Sequence, residues 1–96
     1  MRAPSIMQDS KECFQTQRTD HLVCHHIYPG SNRKISDANG FWVWLTAEWH
    51  NGDSRISVHH HPNEGLDMQL KQECQRVYEQ THSREEFIAL IGRSYL

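Results

Sequence analysis

The stretch "HLVCHHIYPGSNRKISDANGFWVWLTAEWHN", residues 21–51, holds two apolar runs separated by a polar break, with a histidine pair at the end of the first. Its segment "FWVWL" (41–45) is made of aromatic, β-branched and aliphatic side chains. It predicts a strand with Phe41, Val43 and Leu45 on one face and Trp42 and Trp44 on the other. Between Cys13 and Ile27, the short apolar pieces either side of "TQRTD" suit a β-hairpin, or a strand reached through a turn, ending in His25 and His26. Between the two runs, "YPGSNRKISDANG" carries Pro29, Gly30, Ser31, Asn32, Asp37, Asn39 and Gly40 and reads mostly as loop. Thr46 can cap a short helix over "AEWHN" that Gly52 would end.

Outward from this centre the pattern turns helical. "LDMQLKQECQRVYEQ" places Leu66, Leu70, Cys74, Val77 and Tyr78 on one face of an amphipathic helix. Ser83 and Glu86 form a capping box for a last helix whose buried face is Phe87, Ile88, Leu90 and Ile91. Residues 1–12 are polar and read as a flexible N-terminal segment, which leaves 13–96 as the folded domain. At 96 residues the chain makes one small domain, near the size at which burial alone leaves little stability margin, so a staple of some kind would help it.

Composition narrows the function classes. The formal net charge of -2 argues against coating nucleic acid by bulk electrostatics and leaves room for a local basic patch or a bound cation. No apolar run approaches membrane-spanning length, and no signal peptide is recognisable, so a soluble protein without membrane association is expected. Cys13, Cys24 and Cys74 form no Cys-x-x-Cys pair and cannot all pair within one chain, which suits a reducing, cytoplasmic setting. Eight histidines in 96 residues stand out, because five of them fall in two groups, His25–His26 and His59–His61. If the two strands pair antiparallel and the short helix packs across them, His25, His26 and His50 converge. Adjacent residues on a strand point to opposite faces, so His25 and His26 would then have different jobs, one on a metal and one facing a substrate water.

The ordered set "CHHIYPG", a loop to Gly40, "FWVWLTAEWHN" and "SVHHHP" resembles the HNH, or His-Me finger, endonucleases. More narrowly, "HHIYPGSNRK", "VWLTAEWHN", "LDMQLKQE" and "FIALIGRSYL" look like small phage or prophage HNH proteins, over roughly residues 13–96. The resemblance implies an α+β fold with a small ββα-metal core and a C-terminal pair of helices. It implies hydrolysis of DNA phosphodiester bonds with a divalent ion (Mg²⁺, Mn²⁺ or Zn²⁺) in phage DNA processing or recombination. His26 would be the general base, a task suited to an imidazole. His25 and His50 would hold the ion, with Asn51 as the alternative to His50 on the short helix and His59 as a third ligand. Asn39, rather than Asn32, would brace the loop between the strands, and Arg33, Lys34 and Arg55 would contact phosphates. The chain departs from members that carry two zinc knuckles: "CFQT" keeps only Cys13, and Thr46 and Trp49 stand where the second knuckle would be, so no structural zinc is expected there.

Blander readings stay open beside this one. His60 and His61 read as a solvated run before Pro62, and the aromatics of "FWVW" as packing rather than a base-stacking platform. A DNA-binding phage accessory protein that cuts weakly or not at all, or a structural metal-binding domain, could be built on the same fold. A single small domain that cuts both strands would need a second copy, a geometric argument for a homodimer.

Overall fold

The computed structural model describes residues 2–96. Strand β1 (Leu22–His26) pairs antiparallel with β2 (Trp42–Thr46), setting His25 opposite Val43 and His26 opposite Trp42. Pairing continues past both strand ends, through Ile27 N–H to Phe41 O (2.9 Å) and Ala47 N–H to His21 O (3.0 Å). The alternation read in "FWVWL" holds: Phe41, Val43 and Leu45 are fully buried, whereas Trp42 and Trp44 are half-buried on the other face. Upstream, residues 13–21 contain no strand, so the apolar pieces there make a turn leading into β1 rather than a hairpin.

The connection read as loop is instead a 3₁₀ turn (Gly30–Asn32) and a seven-residue helix, α1 (Arg33–Asn39). Its composition favours turns, and so short a helix is marginal without tertiary support. That support comes from Ser36, fully buried, whose Oγ donates to Tyr28 O (2.9 Å), and from Gly40, whose φ of 74° gives the left-handed stop. Gly40 also lets another segment approach, because a Cβ there would run into Pro4 O.

That segment is the N-terminus, which the sequence suggests is flexible. Ala3 N–H donates to Asp37 O (2.7 Å), Ile6 N–H to Gly40 O (3.0 Å), Ser5 Oγ to Trp42 O (2.6 Å) and Trp42 Nε1 to Ala3 O (2.8 Å). Ile6 and Met7 pack against the core. The arm thereby satisfies backbone groups along the outer edge of β2 that solvent would otherwise meet.

After β2 comes a π-helical turn (Glu48–Gly52), closed by Asp53 N–H on Glu48 O (3.1 Å) and starting from Ala47 with no side-chain cap, so Thr46 is not the cap the sequence suggests. Helices α2 (Gly65–Tyr78) and α3 (Arg84–Ile91) complete a small α+β fold. Leu66, Leu70 and Cys74 of α2 meet Phe87 and Ile91 of α3 and the inner sheet face in one core. Val77 and Tyr78 are half-buried, and Ile88, expected inside, is 39% exposed. Ser83 Oγ accepts from Glu86 N–H while Glu86 receives the Ser83 N–H, completing the capping box. Next to the apolar stripe of α2 runs a second, polar one of Asp67, Lys71 and Gln75, all buried.

Candidate metal centre

His25 stands on the inner face of β1 and is 2% exposed. The π-helical turn carries His50 toward it, and backbone bonds from Val58 N–H to Trp49 O (2.8 Å) and His59 N–H to His50 O (3.2 Å) lay the next segment alongside that turn. One ligand atom each from His25, His50 and His59 then lies within 4.8 Å of the others. His50 and His59 already touch, Nε2 to Nε2 at 2.9 Å, and the His25 ring centre is 5.5 and 5.8 Å from theirs. Irregular π turns favour such placements, because the extra residue per turn shifts which side chain faces inward.

The electrostatics match ligating imidazoles. Burial, reinforced by His50, His59, His26 and Lys71, pushes His25 down to about 3, and burial with His59 and His26 lowers His50 as well. A neutral ring is the form that donates a lone pair to a metal. His25 Nε2 is the one buried side-chain polar atom among the described residues that has no hydrogen-bond partner. Asp67 Oδ1 lies 4.0 Å from it. Asp67 itself is held by Lys71 Nζ (2.7 Å) and Asn63 N–H (2.6 Å). An unpartnered buried nitrogen beside two further histidines, with no carboxylate among the three donors, fits a divalent ion of borderline softness.

His26 lines the same cleft, about 360 Å³, together with Val23, Cys24, His25, Pro29, Gly30, Arg33, His50 and His59. Four consecutive residues of β1 contribute, so the cleft follows the unpaired edge of the strand, where both faces are within reach. The opposition expected between His25 and His26 is thus an opposition across one groove. His26 Nε2 is 2.7 Å from Asp37 Oδ1, on α1.

The other expected site residues divide. Arg33 lines the cleft, while Lys34 is exposed and stands outside it. Arg55 is engaged by Asp53 (2.9 and 3.1 Å) and lines a separate cleft with Trp49 and Ile56. Asn51 is exposed and does not line the histidine cleft. Asn39 donates to Ile35 O (2.9 Å) at the end of its own helix and does not reach the cleft, because residues 33–39 are helical rather than a loop to be braced. Asn32, passed over in the sequence, ties that connection to α3 through Ile91 O (3.0 Å). His60 and His61 turn away, to Ser57 Oγ and to Glu64 and Ser54 O. Two carboxylates at the site have no motif of their own in the sequence. Asp37 hides among turn formers, and for Asp67 the i, i+4 spacing to Lys71 beside the apolar stripe is the signal that could have found it.

Comparison of the chain with protein-family models, with curated proteins and with solved structures returns no match.

Proposed function

We propose that this chain is a metal-dependent endonuclease of the HNH type that hydrolyses DNA phosphodiester bonds on a ββα-metal core. The observation that carries the reading is the convergence of His25, His50 and His59 in one cleft with His26 and Arg33. The antiparallel pair β1–β2 followed by the turn bearing His50 supports this reading.

His25, His50 and His59 would hold the ion, with Asn51 left outside the ligand set. When bound, the ion supplies Lewis-acid stabilisation of charge on the phosphate and leaving oxygens. Three neutral imidazoles leave coordination positions open and favour Zn²⁺ or a similar ion over Mg²⁺, which takes oxygen donors. His26 accepts the proton of the attacking water as that oxygen bonds to phosphorus and the phosphorus–oxygen bond to the leaving group breaks. Arg33 orients the phosphate through its planar donors. With a net charge of -2 the chain binds DNA through this local cluster, so contacts read the backbone more than the bases.

Plasmid nicking by protein loaded with Zn²⁺, Mn²⁺ or Mg²⁺, compared with His26→Ala, tests the reading. Cutting by the wild type, lost in His26→Ala with metal content retained, is the expected result. A pure, metal-loaded wild type that cuts in none of the three ions overturns it. Metal uptake that only raises the melting temperature would then favour a structural site, for which the burial of His25 is the supporting feature.

A further inference from the structure

We infer that Asp37 is the positioning residue of His26, holding its ring as the Nε2–H tautomer so that Nδ1 is the nitrogen presented to the cleft. The inference rests on the reading of His26 as the base and adds which of its atoms takes the proton and what fixes it.

The geometry is direct. Asp37 Oδ1 lies 2.7 Å from His26 Nε2, within the range of a charge-assisted hydrogen bond. A carboxylate only accepts, so the proton of a neutral imidazole must sit on Nε2 and the lone pair on Nδ1. His26 Nδ1 makes no hydrogen bond among the described residues, and His26 lines the cleft that holds His25, His50 and His59. The His26 side chain is 14% exposed and that of Asp37 34%, so the pair is partly shielded from competing water.

Asp37 is itself well placed to hold still. It is on α1, whose neighbouring Ser36 is pinned to Tyr28 O, and its backbone carbonyl accepts from Ala3 of the N-terminal arm. The arm and α1 therefore hold from two sides the backbone that carries the carboxylate. The arrangement follows the general logic of a carboxylate behind an imidazole base, which selects a tautomer and stabilises the imidazolium once the proton has moved.

Nitrogen-15 NMR of the imidazoles in metal-free protein, under mildly alkaline conditions, reads the tautomer without any need for activity. The wild type should show His26 with a protonated Nε2 and an unprotonated Nδ1. In Asp37→Asn and Asp37→Ala, matched to wild type by circular dichroism and melting, that pattern should give way to a mixture. Metal-loaded Asp37→Ala should lose about 10²–10⁴-fold in kcat, the range for a general base, with KM for DNA and metal content little changed. An Nδ1–H tautomer in the wild type, or an unchanged His26 spectrum in both variants, overturns the inference. If Asp37→Ala cuts like wild type while His26→Ala does not cut, Asp37 is dismissed and the base reading stands. If no form cuts, the base reading fails, and the nitrogen spectra still decide the tautomer.

Discussion

Acidifying the metal-free protein should weaken it through His25 alone by an amount that can be worked from the structure. The unfolded chain takes up a proton on this residue below its ordinary value of 6.5, whereas the folded chain does so only at about 3. Between these values the unfolded state binds more protons, so stability falls as pH falls. At about pH 4 the gap is roughly 2.5 pH units, or about 3 kcal/mol, a large share of the margin of a small domain. The groups around the ring act together here. His50, His59, His26 and Lys71 oppose the charged form, and Asp67, 4.0 Å away, is already committed to Lys71. The comparison is between wild type and His25→Leu, in which this term is gone while the carboxylates and other histidines of the chain still titrate. Urea unfolding with a chelator present, followed by tryptophan fluorescence, should show the wild type losing about 3 kcal/mol more than His25→Leu between neutral pH and about pH 4. A difference between the two proteins that stays constant with pH would refute the reasoning, since it would mean that His25 is as easily protonated folded as unfolded.

Two further substitutions probe the supports of the site. Gly40→Ala combines a left-handed backbone with a Cβ directed at Pro4 O, so it should cost about 2 kcal/mol and loosen the N-terminal arm. The readouts are urea unfolding and faster hydrogen exchange at Ala3 and Ile6. Lys71→Met strands the buried Asp67 and should cost about 3–5 kcal/mol, most of it recovered in the Lys71→Met/Asp67→Leu double variant. Equal losses in the single and double variants would show that packing rather than charge sets the effect.

What the sequence made legible follows from the range of the interactions involved. β2 could be read because alternation is local, and α3 because a capping box lies within four residues. The helix α1 could not, since its residues favour turns and its stability comes from Tyr28 and from the arm docked against Gly40. The docking of residues 3–8 is likewise a long-range matter of covering the edge of β2. At the site, the histidine pair was conspicuous and the family resemblance already singled out His59 over His60 and His61, whereas what carries His59 to His25 and His50, the backbone bonds that join residues 58 and 59 to the π-helical turn, is long-range. Asn39 fitted as a brace only while residues 33–39 were read as loop, and Asp37 gained its place when they proved helical, with one side chain turned to His26.

The most direct measurement of the central claim, a three-histidine ion site, is calorimetric titration of Zn²⁺ into chelator-stripped protein. The account predicts one ion per chain, with binding weakened at least about tenfold in each of His25→Ala, His50→Ala and His59→Ala and unchanged in Asn51→Ala and His60→Ala. A wild type that takes up no ion, or one whose binding is indifferent to His25, His50 and His59, would contradict it.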